Sequence, residues 1–173
     1  MEISYYRKLK NIDRLQSVPK QRNYNLLEHQ YMVGMLFRHF ASKEDIAYDI
    51  KVWDLVLNHD ILESVTIDLP WNIKNFSSKT KEAWGIIEEE LISKHFQLQR
   101  YSDKALKSGM TPIQFALFKV CDTLDLLIFV KEEQALGNNT DEINEVEENC
   151  YKIMDSLEFK FPKIKQFIQE NYG

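Results

Sequence analysis

Glycine and proline are scarce in this 173-residue chain, at five and four residues. That scarcity argues against long loops and low-complexity linkers, and confines expected disorder to the termini and one or two connections. Cysteine is scarcer still. Cys121 and Cys150 form no CxxC pair, so neither reads as a zinc ligand or a redox centre, and both are expected as reduced, packed thiols. No apolar run reaches the ~18 residues of a membrane span, and Met1-Glu2-Ile3-Ser4 has no signal-peptide pattern. A soluble cytoplasmic protein is therefore expected. An excess of positive charge is also missing: 22 Lys and Arg face 27 Asp and Glu, a net charge of -5. That excludes general binding of polymeric nucleic acid, which draws its affinity from Lys and Arg on phosphates. It leaves room for a small phosphate ester in a local basic pocket.

What is present is ordinary globular material, 44% apolar and 28% charged, long enough for one domain with a substantial core over residues 1–173. The apolar spacing is helical throughout, with no sustained alternation and no hairpin turn. Helices are predicted over 2–15, over Leu26–Phe40 and over Ile46–His59, with a short continuation from Ile61 to Thr66. Ser42-Lys43-Glu44-Asp45 reads as a break and new N-cap between the second and third. Further helices are predicted over Lys79–Leu98 and, after Thr111 as N-cap and Pro112 at the first helical position, to about Leu136. Gly137-Asn138-Asn139 closes that helix. An acidic amphipathic helix follows to about Leu157, and a last short one follows Pro162. The fold class is all-α, one domain of about six to eight helices in a non-bundle packing. Trp53, Trp84 and Phe115 are read as core.

Three apolar runs carry groups that do not belong in a core. His29 lies in one, His59-Asp60 ends another, and Asp122 sits inside Phe115–Val130. Imidazole nitrogens and carboxylate oxygens together suit one borderline divalent ion such as Zn, Mn, Fe, Co or Ni. Neighbours on a regular helix diverge by about 100°, so His59 and Asp60 converge on one ion only near a helix end or through suitable rotamers. For His29 alone, a packed histidine with one hydrogen bond is the leading account, and His39 and His95 take that reading or a surface one. Asp122 is harder to dismiss, because an unpaired buried carboxylate is costly. A metal is one partner for it; a buried Arg or a cap elsewhere is the alternative.

The ordered set of His29, His59-Asp60 and Asp122 resembles the HD-domain metal-dependent phosphohydrolases. The context resembles their bacterial 5'-deoxynucleotidase branch: Glu28-His29, His59-Asp60-x-x-Glu63, Asp68-Leu69-Pro70, Lys74, Lys119-x-x-Asp122, Glu132-Glu133 and Gly137-Asn138. Arg14, 15 residues before His29, matches the phosphate-binding arginine of that branch. The likeness covers about residues 14 to 140. It implies an HD helical fold and one divalent ion (Co, Mn, Zn, Fe, Ni or Mg) on His29, His59, Asp60 and Asp122. It implies Arg14 on phosphate, Glu63 as general acid/base and Asp68 at the sugar or in proton transfer. For Lys74 and Arg22 a solvated surface charge is the leading reading, with an additional phosphate contact as the alternative. Trp71 is a candidate pocket wall. A nucleotide substrate and a homodimer are implied with these.

Two positions depart from the branch. It carries Trp after the phosphate arginine, where this chain has Leu15, and Gly before the Asp-Leu-Pro, where this chain has Ile67. Both bear on the sugar. The expected activity is release of phosphate from deoxynucleoside 5'-monophosphates. Cleavage of deoxynucleoside triphosphates to nucleoside and triphosphate is the alternative that the same metal site would serve, and a non-catalytic HD nucleotide-binding module is a second alternative.

Overall fold

Thr111 starts the longest helix of the protein through a complete capping box. Its side chain accepts from the Gln114 backbone N–H while the Gln114 side chain accepts from the Thr111 backbone N–H, and Pro112 follows at the first helical position. This helix ends in a Schellman turn: the Gly137 N–H donates to Gln134 O at 2.9 Å and the Asn138 N–H to Glu133 O at 3.0 Å. The turn requires a left-handed residue, and Gly137 supplies it at φ 92°.

The protein is described here by a computed structural model covering residues 3–66, 68–69, 73, 76–157 and 160–172. Its helices are α1 (Ile3–Leu9), α2 (Leu26–Lys43), α3 (Ile50–Leu57), α4 (Glu63–Thr66), α5 (Ser78–Lys94), a 3-10 segment (Phe96–Tyr101), α6 (Asp103–Gly109), α7 (Pro112–Ala135), α8 (Asp141–Ser156) and α9 (Pro162–Tyr172). No strand occurs among the described residues. The extended pairing there is an isolated bridge, Asp13 to Asn25.

α7 packs along both α2 and α8, and α3 lies against α2. Val33, Phe37, Val56, Leu117, Leu124 and Leu127, all fully buried, join these elements in the main core. Burying each such side chain contributes about 1.5–3 kcal/mol. Gly34 lets α2 and α3 approach closely, since a Cβ there would meet Leu57 Cδ1 at 3.0 Å and Trp53 Cη2 at 3.5 Å. A smaller cluster of Tyr5, Leu9, Leu26, Ile61, Leu98 and Tyr101 gathers the N-terminal segment and the 3-10 segment. Leu55 touches both clusters and joins them.

The observed helices differ from the periodic pattern in several places, among them α6, which that pattern does not announce. The first helix stops at Leu9 rather than 15. Beyond it the backbone pairs across a loop instead, with Arg14 N donating to Tyr24 O at 2.7 Å and Leu26 N to Ile12 O at 3.0 Å. α2 runs through Ser42 to Lys43, and α3 begins at Ile50 because the Asp49 side chain accepts from the Lys51 and Val52 N–H groups. α5 ends at Lys94, leaving Leu98 to the 3-10 segment. α5 also buries none of its described residues. Trp84 is therefore half-buried rather than core, and its indole N–H donates to Glu88 at 2.6 Å.

Candidate metal centre

α3 ends at Leu57, and His59 and Asp60 fall in the turn beyond it. That ending removes the angular divergence a continuing helix would impose. Asn58, the C-cap, ties the turn back by donating from Nδ2 to Asp54 O at 2.8 Å. The buried Gln30 of α2 holds it from the other side: its amide oxygen accepts from the Asp60 and Ile61 backbone N–H groups, both at 2.9 Å.

Onto this turn project His29 from the first turn of α2 and Asp122 from the middle of α7. His29 Nε2 lies 3.2 Å from His59 Nε2, 3.2 Å from Asp122 Oδ1 and 3.5 Å from Asp60 Oδ2. His59 Nε2 lies 3.4 Å from Asp60 Oδ2 and 3.9 Å from Asp122 Oδ1. Donor atoms of His29, His59 and Asp122 all fall within 4.8 Å of one another. Two imidazole nitrogens and two carboxylate oxygens so gathered have the composition and the spacing of a site for one divalent metal ion.

The surroundings fit that ion too, because the other polar atom of His29, of His59 and of Asp122 is already engaged. His29 Nδ1 is 2.7 Å from Asp125 Oδ2, and His59 Nδ1 is 2.8 Å from Val56 O. Lys119 Nζ donates to Asp122 Oδ2 at 2.5 Å. Bonds of this kind fix ring orientation and tautomer and turn one face of each ligand to the ion. The imidazoles are 0% and 6% exposed, so water does not compete for them.

Electrostatics bind the cluster together. Burial alone would raise the Asp60 carboxyl, but His59 first, and then Arg14 and His29, hold it below the ordinary carboxylate range. Burial opposes Asp122 in the same way, and Lys119 and the two histidines hold it well below. His59 is raised despite its burial, by Asp60 and Asp122.

Arg14 borders this cluster. Its Nη1 is 3.6 Å from Asp60 Oδ2, a buried donor with no hydrogen-bond partner among the described residues. Burial works against its charge, and Tyr24, Asp60, Asp122 and Glu63 more than restore it. Its guanidinium lies 5.3 Å from the centre of the Tyr24 ring. The next residue, Leu15, is held at φ 52°, a left-handed conformation that costs a non-glycine residue about 1–3 kcal/mol. Glu133, 0% exposed on α7, clamps the far end of this loop. It accepts from the backbone N–H of Gln21 at 2.7 Å and of Arg22 at 3.0 Å, and from Asn138 Nδ2 at 2.8 Å. Asn138 Nδ2 also donates to Pro19 O. Arg22 pairs with Glu132 and stands outside the cluster.

Glu63 opens α4, its N–H donating to Asp60 O at 3.0 Å. Asp68 has its carbonyl 3.5 Å from Gln16 Nε2, which brings its segment beside the Arg14 loop. Lys74, Trp71 and Ile67 lie outside the described residues. His95 faces Tyr5, and the ring of His39 packs on Phe40. Both cysteines are buried free thiols. Sequence reasoning missed Asp125, Tyr24 and Gln30. Asp125 carried a signal, since it stands in Leu124-Asp125-Leu126 and faces the same burial cost as Asp122.

The family described as 5'-deoxynucleotidase YfbR-like matches residues 3–172 of the chain. Among individually curated proteins, none matches it. Similar solved structures include the HD phosphohydrolase DatZ of cyanophage S-2L, bound to dA and one catalytic Zn2+ ion. It is 20% identical, with TM-score 0.64, over 99% of this chain and 98% of that one. The PH0347 protein of Pyrococcus horikoshii is 20% identical with TM-score 0.71, over 97% of this chain and 94% of its own. An HD-domain phosphohydrolase of Listeria innocua is 20% identical with TM-score 0.70, over 98% and 85%. These likenesses carry the fold. No helix among the described residues is long and apolar enough to cross a membrane.

Proposed function

We propose that this chain, which belongs to the YfbR-like 5'-deoxynucleotidase family and is a hydrolase of the HD type, releases phosphate from deoxynucleoside 5'-monophosphates. The observation that carries this reading is Arg14 Nη1, a buried cationic donor without a hydrogen-bond partner among the described residues, 3.6 Å from Asp60 at the edge of the metal centre. A terminal phosphate supplies the acceptor that this donor lacks, and guanidinium suits it through paired charge-assisted bonds.

In this reading His29, His59, Asp60 and Asp122 hold one divalent ion. Such an ion, when bound, lowers the pKa of a water and polarises a phosphoryl oxygen. Arg14 binds and orients the phosphate and carries part of the charge that grows on its oxygens. Glu63 handles the proton, delivering it to the 5' oxygen as the bond from phosphorus to that oxygen breaks. Asp68 meets the sugar hydroxyl. Lys74 and Trp71 are assigned to phosphate and pocket wall from the sequence alone. The products are nucleoside and inorganic phosphate.

A second reading is cleavage of deoxynucleoside triphosphates to nucleoside and triphosphate. Lys119 favours it: its ammonium sits on Asp122 with a side chain still 38% exposed, a second cation for a longer phosphate chain. DatZ, bound to dA and one catalytic Zn2+ ion, is compatible with either reaction. We read the chain as one HD domain over residues 1–173, cytoplasmic, and as a homodimer. The dimer is supported by α5, which buries nothing while exposing Ile86 and Ile87, with Phe96 71% exposed just beyond it.

The test is incubation with deoxy- and ribonucleoside mono- and triphosphates under Mn, Co, Zn and Mg, with products resolved. Free phosphate from monophosphates is the expected result. Intact triphosphate supports the second reading, and no product under any metal overturns both.

A further inference from the structure

Asp125 is a carboxylate buried in the core of α7, 5% exposed, one turn from Asp122 and so far met only as the partner of His29 Nδ1. An ionised carboxylate is tolerated at such a place only with donors on it. Two are present on a single oxygen. Tyr24 OH donates to Asp125 Oδ2 at 2.7 Å, and His29 Nδ1 lies at the same 2.7 Å. Tyr24 OH is farther from His29 Nδ1, at 3.2 Å, so the short contacts both converge on the carboxylate. With Oδ2 as acceptor, the His29 ring carries its proton on Nδ1 and offers Nε2 as a bare lone pair toward Asp60 and Asp122.

The two histidines therefore differ. His29 rests on an anion, whereas His59 donates to the neutral Val56 carbonyl. An anionic partner makes an imidazole the stronger ligand. Tyr24 is itself fixed. Its ring stacks on Phe129, with centroids 4.3 Å apart and planes at 10°, and Phe129 lies one turn beyond Asp125 on α7. The Arg14 guanidinium also neighbours that ring, and Arg14 N donates to Tyr24 O at 2.7 Å. Phosphate arginine, tyrosine, buried carboxylate and metal histidine thus form one packed chain.

We infer that Asp125 is a positioning residue that sets metal affinity through His29. The inference rests on the metal site of the proposed function. The experiment measures zinc affinity of the full chain by competition with a chromogenic chelator, for wild type, Asp125→Asn and Tyr24→Phe, alongside their thermal stability. Asp125→Asn is isosteric and is expected to weaken zinc binding about 10- to 100-fold, with activity regained at higher zinc. Tyr24→Phe leaves Asp125 charged and bonded to His29, and is expected to stay within about threefold of wild type while losing stability.

Zinc affinity of Asp125→Asn within threefold of wild type overturns the inference. So does a loss that tracks thermal stability equally in both variants. Should Asp125→Asn not fold, a long-range proton–nitrogen NMR correlation on zinc-loaded wild type decides. His29 bound through Nε2 with a proton on Nδ1 upholds the inference, and ligation through Nδ1 overturns it. Wild type that takes up no divalent ion overturns this inference together with the reading beneath it. Tight zinc binding by both wild type and Asp125→Asn overturns this inference alone.

Discussion

His29 and Asp122 stand on helices of 18 and 24 residues, whereas Arg14 stands on a loop, Glu63 on a four-residue helix and Asp68 on a connection. The metal side of the site is packed into the main core, and the second polar atom of each histidine and of Asp122 is engaged by another group of the chain. The side proposed for phosphate and sugar is built from short pieces held at their ends, by Glu133 at one point and by Gln16 at another. Long helices fix a constellation to within tenths of an ångström, and loops vary around it. The division teaches where chemistry and selectivity reside. In the proposed reading the ion belongs to α2, α7 and the turn that follows α3, and the choice of nucleotide belongs to the loop carrying Arg14 and Leu15 and to the stretch after α4.

The sharpest way to break this contrast is on the metal side. Asp60→Ala is expected to abolish bound metal and lower kcat/KM by roughly 10³-fold or more, since the several kcal/mol an ion supplies convert at about tenfold per 1.4 kcal/mol. Metal content measured after purification, beside activity, checks it. On the phosphate side, Arg14→Ala is expected to lower kcat/KM by roughly 10²-fold while metal content stays at the wild-type level, so the two halves separate in one pair of measurements. Arg14→Lys is expected to recover only part of it, because an ammonium cannot make the paired contact.

Glu133 offers a smaller effect with a pH signature. Burial would raise its carboxyl, but Asn138 and the backbone N–H groups of Gln21 and Arg22 hold it below the ordinary 4.5. A lowered folded value means that its stabilisation is fully present above the unfolded value and is lost as pH falls through the folded one. Glu133→Gln should cost about 1–3 kcal/mol near neutrality and flatten the fall in Tm at acid pH below 4.5; Tm followed against pH reads both. The smallest effect is at Leu15. Leu15→Trp restores the bulk that the branch places beside the sugar, and about a tenfold rise in preference for deoxy over ribo substrates is expected. Paired kcat/KM values on dAMP and AMP measure it.

The helices around the site were legible because their apolar periods run long, and Thr111-Pro112 and Gly137 mark the ends of α7 by ordinary capping chemistry. The residue types of the metal cluster were legible because imidazoles and a carboxylate inside apolar runs demand partners. How His59 and Asp60 converge was legible only in part: a helix end was expected at His59, but the apolar pattern continues past it to Ile61 and gives no sign that α3 stops earlier, at Leu57. The loop that carries Arg14 was misread as helix, because nothing local announces backbone pairing of Arg14 with Tyr24. Glu133 was visible as part of a pattern, yet its work as a clamp on Gln21 depends on contact between residues 112 positions apart. Asp125 could have been found by the cost argument applied to Asp122, and its meaning depends on Tyr24, which only the fold brings to it.

The central claim is that this metal centre and Arg14 together hydrolyse a nucleoside monophosphate. The most direct test follows inorganic phosphate released from dAMP by metal-stripped protein as Mn, Co or Zn is added back. The account predicts no release without metal, saturable release as one ion per chain is restored, and none from Asp60→Ala at any metal concentration. Phosphate release from the stripped protein, or equal release by Asp60→Ala, would contradict it.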